Sequence, residues 1–179
     1  MSRIVPASLL ALSLPTSAVA FDLASPDLKD GKITNEFVFA GFGCSGENQS
    51  PALTWNDAPE GTKSFAVMVH DPDAPTGGAG WWHWVVYNLP ANTTSLDRGA
   101  GSKDGNLPAG AVQVVTDFGV PGWGGPCPPE GVTHHYNFTV YALGVEALEV
   151  PEGARASLTG FLINGNTLGK ASFTATYSR

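Results

Sequence analysis

Apolar stretches in this chain are short, about four to eight residues, and glycine or proline interrupts nearly every one of them. Twenty-two glycines and fourteen prolines are spread over 179 residues. Such a density of turn formers leaves little room for long helices and favours many short strands. The pattern predicts a mainly β chain, a β-sandwich with a few short helices, over residues 21–179. Strands are expected at residues 36–40, 64–70, 82–88, 111–115, 136–142 and 171–178. One helix is expected at 154–162, with Ala156, Leu158, Phe161 and Leu162 on its apolar face and Asn164-Gly165 as its stop.

Residues 1–20 read as a secretory leader. Arg3 supplies the positive start, Leu9-Leu10-Ala11-Leu12-Ser13-Leu14 the apolar centre, and Ala18-Val19-Ala20 a small-residue cleavage site before Phe21. The apolar run falls short of the roughly 20 residues that span a bilayer, so no transmembrane segment is expected. The net charge of −7 becomes more negative once Arg3 is removed, which argues against nucleic acid or an anionic membrane as a partner found by general electrostatics. Any anion site must be local. Export to the periplasm or the exterior would place Cys44 and Cys127, the two cysteines of the chain, where disulfides persist. A mutual bridge is expected; two free thiols or an intermolecular link are the alternatives. Two lone cysteines without C-x-x-C spacing do not make a zinc site.

Two segments concentrate the chemistry. One runs His70-Asp71-Pro72-Asp73-Ala74-Pro75 into Trp81-Trp82-His83-Trp84, and the other Gly125-Pro126-Cys127-Pro128-Pro129 into His134-His135-Tyr136. Between them they hold all four histidines, on strand ends flanked by proline-stiffened loops. Strand alternation puts Phe65, Val67, Val69 and Asp71 on one face, and His134, Tyr136, Phe138 and Val140 inward with His135 turned away. An aspartate facing an inward histidine can fix its tautomer, raise its pKa and make it a donor to an anion, with a tyrosine hydroxyl as a neutral donor. The same carboxylate could hold the ammonium end of a zwitterion. A plain Asp–His staple between strand ends is the alternative without a ligand.

These residues resemble the phosphatidylethanolamine-binding protein family, especially its bacterial Raf-kinase-inhibitor-like branch. The resemblance spans most of residues 21–179. It is carried by Gly41-Phe42-Gly43-Cys44-Ser45-Gly46, Asn48-Gln49-Ser50-Pro51-Ala52-Leu53-Thr54-Trp55, Asp71-Pro72-Asp73-Ala74-Pro75, Trp82-His83-Trp84-Val85-Val86-Tyr87-Asn88-Leu89-Pro90, Gly124-Gly125-Pro126-Cys127-Pro128-Pro129 and His134-His135-Tyr136. It implies a Greek-key β-sandwich with a small pocket for phosphate-like groups and phosphoethanolamine headgroups. The implied pocket uses Asp71, His83, His134 and Tyr136, with Trp81, Pro128 and Pro129 at its rim. The family usually carries arginine where this chain has His135, which removes a permanent charge and a bidentate donor and puts the anchoring of the neighbouring loop in question.

The expected function is that of an exported, non-catalytic binding protein for a small anion, with no cofactor. A phosphorylated or acidic side chain of a partner protein is a second candidate ligand. Kinase or protease inhibition, which some relatives suggest, transfers poorly to an exported protein. The competing reading is an enzyme: a hydrolase using His and Asp as acid and base, or a metal enzyme using His70, Asp71, Asp73 and His83. Neither has strong support, because no G-x-S-x-G nucleophile motif occurs and adjacent His70 and Asp71 must point to opposite faces of a strand.

Overall fold

A computed structural model describes residues 20–179; the leader expected at 1–20 lies, apart from Ala20, outside the described residues. In chain order the strands are β1 (Asp22–Ala24), β2 (Ala40–Gly41), β3 (Cys44–Ser45), β4 (Leu53–Asn56), β5 (Ser64–Asp71), β6 (Trp81–Pro90), β7 (Ser95–Leu96), β8 (Val112–Gln113), β9 (Thr133–Leu143) and β10 (Thr167–Ser178). Among the described residues one α-helix, α1 (Ala156–Gly165), precedes β10, and a single 3₁₀ turn covers Asn35–Phe37. A five-stranded sheet of order β10-β9-β5-β6-β8 packs on a three-stranded sheet of order β1-β4-β7, and β2 pairs with β3 alone.

Between the two sheets lies the larger core. Phe65, Val67 and Val69 of β5, Tyr136, Phe138 and Val140 of β9, and Trp84 and Val86 of β6 meet Leu53 and Trp55 of β4 there. The alternate residues of the same strands, Ala66, Met68, Val85 and Tyr141, face the other way and are covered by Ala156 and Ile163 of α1. The central strand β5 is therefore buried on both faces. That explains its nearly continuous apolar run, whereas β9 alternates near its start, with His134 and Tyr136 buried and His135 exposed.

Four expectations are corrected. Residues 36–40 do not form a strand: the 3₁₀ turn closes through Phe37 N–H to Thr34 and Val38 N–H to Asn35, and β2 begins only at Ala40. Phe37 and Val38 are both buried, which consecutive residues of a half-exposed strand cannot be. Of residues 111–115 only Val112–Gln113 pairs with β6, because Val115 leaves the edge to make isolated bridges with Pro121 and Arg155. The strand expected at 171–178 begins earlier, at Thr167. The helix runs later than expected and contains Asn164 and Gly165.

The helix also presents a different face. Ala156, Thr159, Gly160 and Ile163 are buried, while Leu158 and Phe161 are 45% and 74% exposed. Close approach at one position decides this: a Cβ on Gly160 would lie 2.9 Å from the Met68 methyl, so the helix settles onto the sheet at Gly160, with Ala156 and Ile163 beside it, and Leu158 and Phe161 face out.

Candidate functional site

At one end of the sandwich, where β5 stops, β6 starts and β9 enters, a cavity of about 330 Å³ opens. Its lining includes Asp71, Trp81, His83, Pro128, Pro129 and His134, so six of the seven ligand residues expected from sequence converge on one space. Tyr136, the seventh, stands behind them: it is fully buried, does not line the cavity, and meets the His83 ring edge-on at 5.1 Å. Its hydroxyl has no hydrogen-bond partner among the described residues. Burial, with the negative charge of Asp71 nearby, pushes its pKa up, so the phenol remains protonated and able to donate.

Asp71 closes the inward face of β5 and is 4% exposed. One oxygen, Oδ2, accepts from His134 Nδ1 at 2.7 Å, and Oδ1 accepts the backbone N–H groups of Asp73 at 2.8 Å and Ala74 at 3.2 Å. The carboxylate thus folds the Pro72–Pro75 loop back on itself and fixes the histidine tautomer in one arrangement.

His83 reaches the cavity by a different route. Plain alternation from Trp84, which faces the main core, would send His83 to the opposite face of the sheet. The β5–β6 register instead slips between Val69, opposite Trp84, and His70, opposite Trp82, leaving His83 as an extra residue. Such a bulge re-aims the side chain it carries. His83 Nδ1–H donates to the Gly124 carbonyl at 2.6 Å, and Gly124 N–H returns a bond to the His83 carbonyl at 2.9 Å. Burial pushes the His83 pKa down to about 4, against the opposing pull of the Gly124 carbonyl and the Asp71 charge. At neutral pH its ring is uncharged. In both histidines Nδ1 is committed to a protein acceptor, which leaves Nε2 as the nitrogen available to a ligand.

The loop opposite is held by residues far away in sequence. Asn48 accepts the Gly125 N–H at 2.8 Å and donates to the Trp123 carbonyl at 3.3 Å, so the Asn48-Gln49-Ser50-Pro51 motif clamps the start of the proline-rich loop. The bridge between Cys44 and Cys127 ties the β2–β3 hairpin to that loop, with their Cα atoms 6.0 Å apart. His135 lies outside the cavity: its backbone N–H and its ring Nδ1–H both donate to Asp73 Oδ2, at 2.8 and 2.7 Å. Those bonds hold the Asp73 carboxyl below its usual pKa. In this chain a histidine therefore anchors the Asp73 loop.

Sequence reasoning did not single out three wall residues, Phe42, Phe118 and Arg179. Phe42 sits in the hairpin turn with φ +55°, 69% exposed, and stacks on Phe118 at 6.0 Å. Phe118 in turn receives the edges of Trp81 at 5.5 Å and His83 at 5.3 Å. Only the Gly41-Phe42-Gly43 turn carried any local signal. The residues of the metal reading are dispersed: His70 donates to the Ala79 carbonyl and packs on Trp82, while Asp73 pairs with His135. Among the described residues no three His, Cys, Asp or Glu side chains gather as a metal cluster.

Known proteins share this arrangement of strands. YbcL of Escherichia coli K12 is 48% identical over 181 residues, covering 99% of this chain and 98% of its own length. YbhB of the same organism is 52% identical over 157 residues, covering 87% and 99%. The crystal structure of E. coli YbcL, described as a new member of the mammalian PEBP family, superposes with a TM-score of 0.84 at 50% identity, over 89% of this chain and 98% of that one. Residues 24–178 match the family model for phosphatidylethanolamine-binding protein. With that match across nearly every described residue, and the same fold in its relatives, the chain belongs to the phosphatidylethanolamine-binding protein family.

Proposed function

We propose that this cavity holds a small anion, inorganic phosphate or the phosphate of a phosphoethanolamine headgroup, and that the protein acts by binding rather than by catalysis. The observation that carries the reading is the buried Asp71–His134 pair beside His83, whose Nε2 atoms remain for a ligand while every Nδ1 is occupied. A protonated imidazole donates to a phosphate oxygen, the Tyr136 hydroxyl has an unused proton, and Asp71 can face an ammonium group. No serine or free thiol lies in the cavity wall to act as nucleophile, since Cys127 is bridged. The disulfide favours an exported protein, periplasmic or secreted, and no helix among the described residues is long and apolar enough to cross a membrane. An acidic or phosphorylated side chain of a partner protein would present the same anion to the cavity, making the protein a modulator of that partner.

Asp71→Asn is the discriminating variant. The asparagine oxygen can keep the Asp73 and Ala74 N–H groups, while its amide turns toward His134 and leaves that ring with a proton on Nε2. Calorimetric titration should find inorganic phosphate affinity changed less than fivefold. Phosphoethanolamine should lose the charged contact to its ammonium, about 1.5–3 kcal/mol or some 10–100-fold. Equal losses for both would show that the carboxylate does not hold the cation. Phosphate shifts in NMR spectra confined to residues remote from His83 and His134 would remove the cavity itself from consideration.

Tyr136→Phe is expected to act oppositely on folding and on binding. The hydroxyl has no protein partner, so removing it should leave thermal stability unchanged or slightly raised. Because Tyr136 does not line the cavity, its hydroxyl meets a ligand only where that ligand seats on the floor beside His83, and phosphate affinity should then fall by about 0.5–1.5 kcal/mol, the value of one neutral hydrogen bond. Unchanged affinity would place the ligand away from the phenol.

A further inference from the structure

We propose that Arg179 is the residue that selects an anion for this cavity, its guanidinium lying on the Cys44–Cys127 disulfide as on a platform; the inference rests on the anion reading above. Among the described residues that line the cavity, Arg179 is the one arginine or lysine and Asp71 the one aspartate or glutamate. His83 is uncharged at neutral pH and the Asp71 carboxylate is engaged by His134, so Arg179 on the wall is the cation of the lining that attracts an anion without first taking up a proton. Arg179 makes no ion pair with any carboxylate among the described residues, in a chain whose net charge is −7 and whose other cations are outnumbered. A guanidinium without a carboxylate partner in the wall of a pocket is available to the ligand.

Its position is built from both sides. A main-chain oxygen of Arg179 accepts the Gly131 N–H at 2.7 Å, which fastens the end of β10 to the turn after Pro129. The side chain then crosses to the disulfide, with Nη1 3.3 Å from Cys44 Sγ and 3.7 Å from Cys127 Sγ. Sulfur in a disulfide is a weak acceptor, so these contacts orient the guanidinium while leaving most of its donors unspent. Space for it depends on Gly43: a Cβ there would stand 3.2 Å from Nη1, and its φ of +86° disfavours any side chain. Hairpin, disulfide and the end of β10 thus converge on one cation.

The test compares the full protein with Arg179→Gln and Arg179→Lys, titrated with inorganic phosphate by calorimetry at low and at physiological ionic strength. Arg179→Gln should weaken phosphate binding about 10-fold and flatten its salt dependence. Arg179→Lys should recover part of the affinity and restore most of the salt dependence, because charge returns without the planar fork. Thermal unfolding of the glutamine variant should stay within a few degrees of the parent, which separates recognition from folding. Affinity and salt dependence unchanged in Arg179→Gln, with the parent binding phosphate, would overturn the inference and leave the anion reading standing. Failure of the parent itself to bind phosphate would overturn both.

Discussion

Replacing Cys44 and Cys127 together by serine is expected to lower the stability of this protein by about 4–5 kcal/mol, and its Tm by roughly 10 °C. The bridge joins residues separated by 83 positions, and closing so long a loop removes much of the freedom of the unfolded chain. It also reinforces a junction that the Phe39 N–H makes with the Pro126 carbonyl at 3.1 Å, just before the hairpin. The β2–β3 hairpin pairs only within itself, through Ala40 with Ser45 and Gly41 with Cys44, and the proline-rich loop belongs to no sheet. Without the bridge the Cys127-Pro128-Pro129 wall, Phe42 and the seat of Arg179 should all loosen, so phosphate affinity should fall along with stability. Thermal scans with and without reductant, beside the double variant, measure the first effect. Coincident scans would show that the sandwich carries its stability without the link.

Acidification is expected to erode stability progressively from about pH 6.5 down to about 4, through His83. In the unfolded chain this imidazole takes up a proton near its ordinary pKa of 6.5, whereas in the native protein burial holds it neutral until about 4. Between those values the unfolded state binds more protons, so stability is fully present above the upper value and lost as pH falls to the lower. The contribution is on the order of 3 kcal/mol. Asp71, His70 and Asp117 are the titratable groups that act on the ring, from β5 and from the loop after β8. Asp27, paired with Arg98, and Asp73, bonded to His135, have carboxyl pKa values that are lowered too. Their contributions are present above the ordinary carboxylate range and fade only below it, in a lower window. His83→Gln should flatten the upper window and leave the lower. Phosphate should raise the His83 pKa, because a protonated Nε2 can donate to it, and affinity should therefore rise as pH falls. An NMR titration of the ring, with and without phosphate, reads both effects; a His83 pKa near 6.5 in the native protein would refute the first.

The sequence by itself determined that this is a β protein, that Asp71 lies on the apolar face of its strand and His134 on the inward face of its own, and that His135 is turned away. Those conclusions rest on turn formers at short intervals and on a side-chain period of two, properties of the local backbone that survive any packing once a strand exists. The cysteine pairing was legible for a related reason: two cysteines, read beside an export signal, have few alternatives. Family motifs added His83 and the rim, although the alternation of β6 alone would have sent His83 to the wrong face. What only the tertiary structure decided is whatever depends on elements meeting across long separations. The bulge that turns His83 inward exists because β5 and β6 pair in shifted register. The buried face of α1 follows from how closely Gly160 can approach Met68. The second sheet is built from strands β1, β4 and β7, of three, four and two residues, too short to show a period. Phe42, Phe118 and Arg179 share one cavity wall although no local pattern links them, because the disulfide and the sheet order bring three separate segments to the same place. Local periodicity can say which way a side chain points; which loops converge on it is fixed by long-range closure, whose entropy and packing no short window of sequence contains.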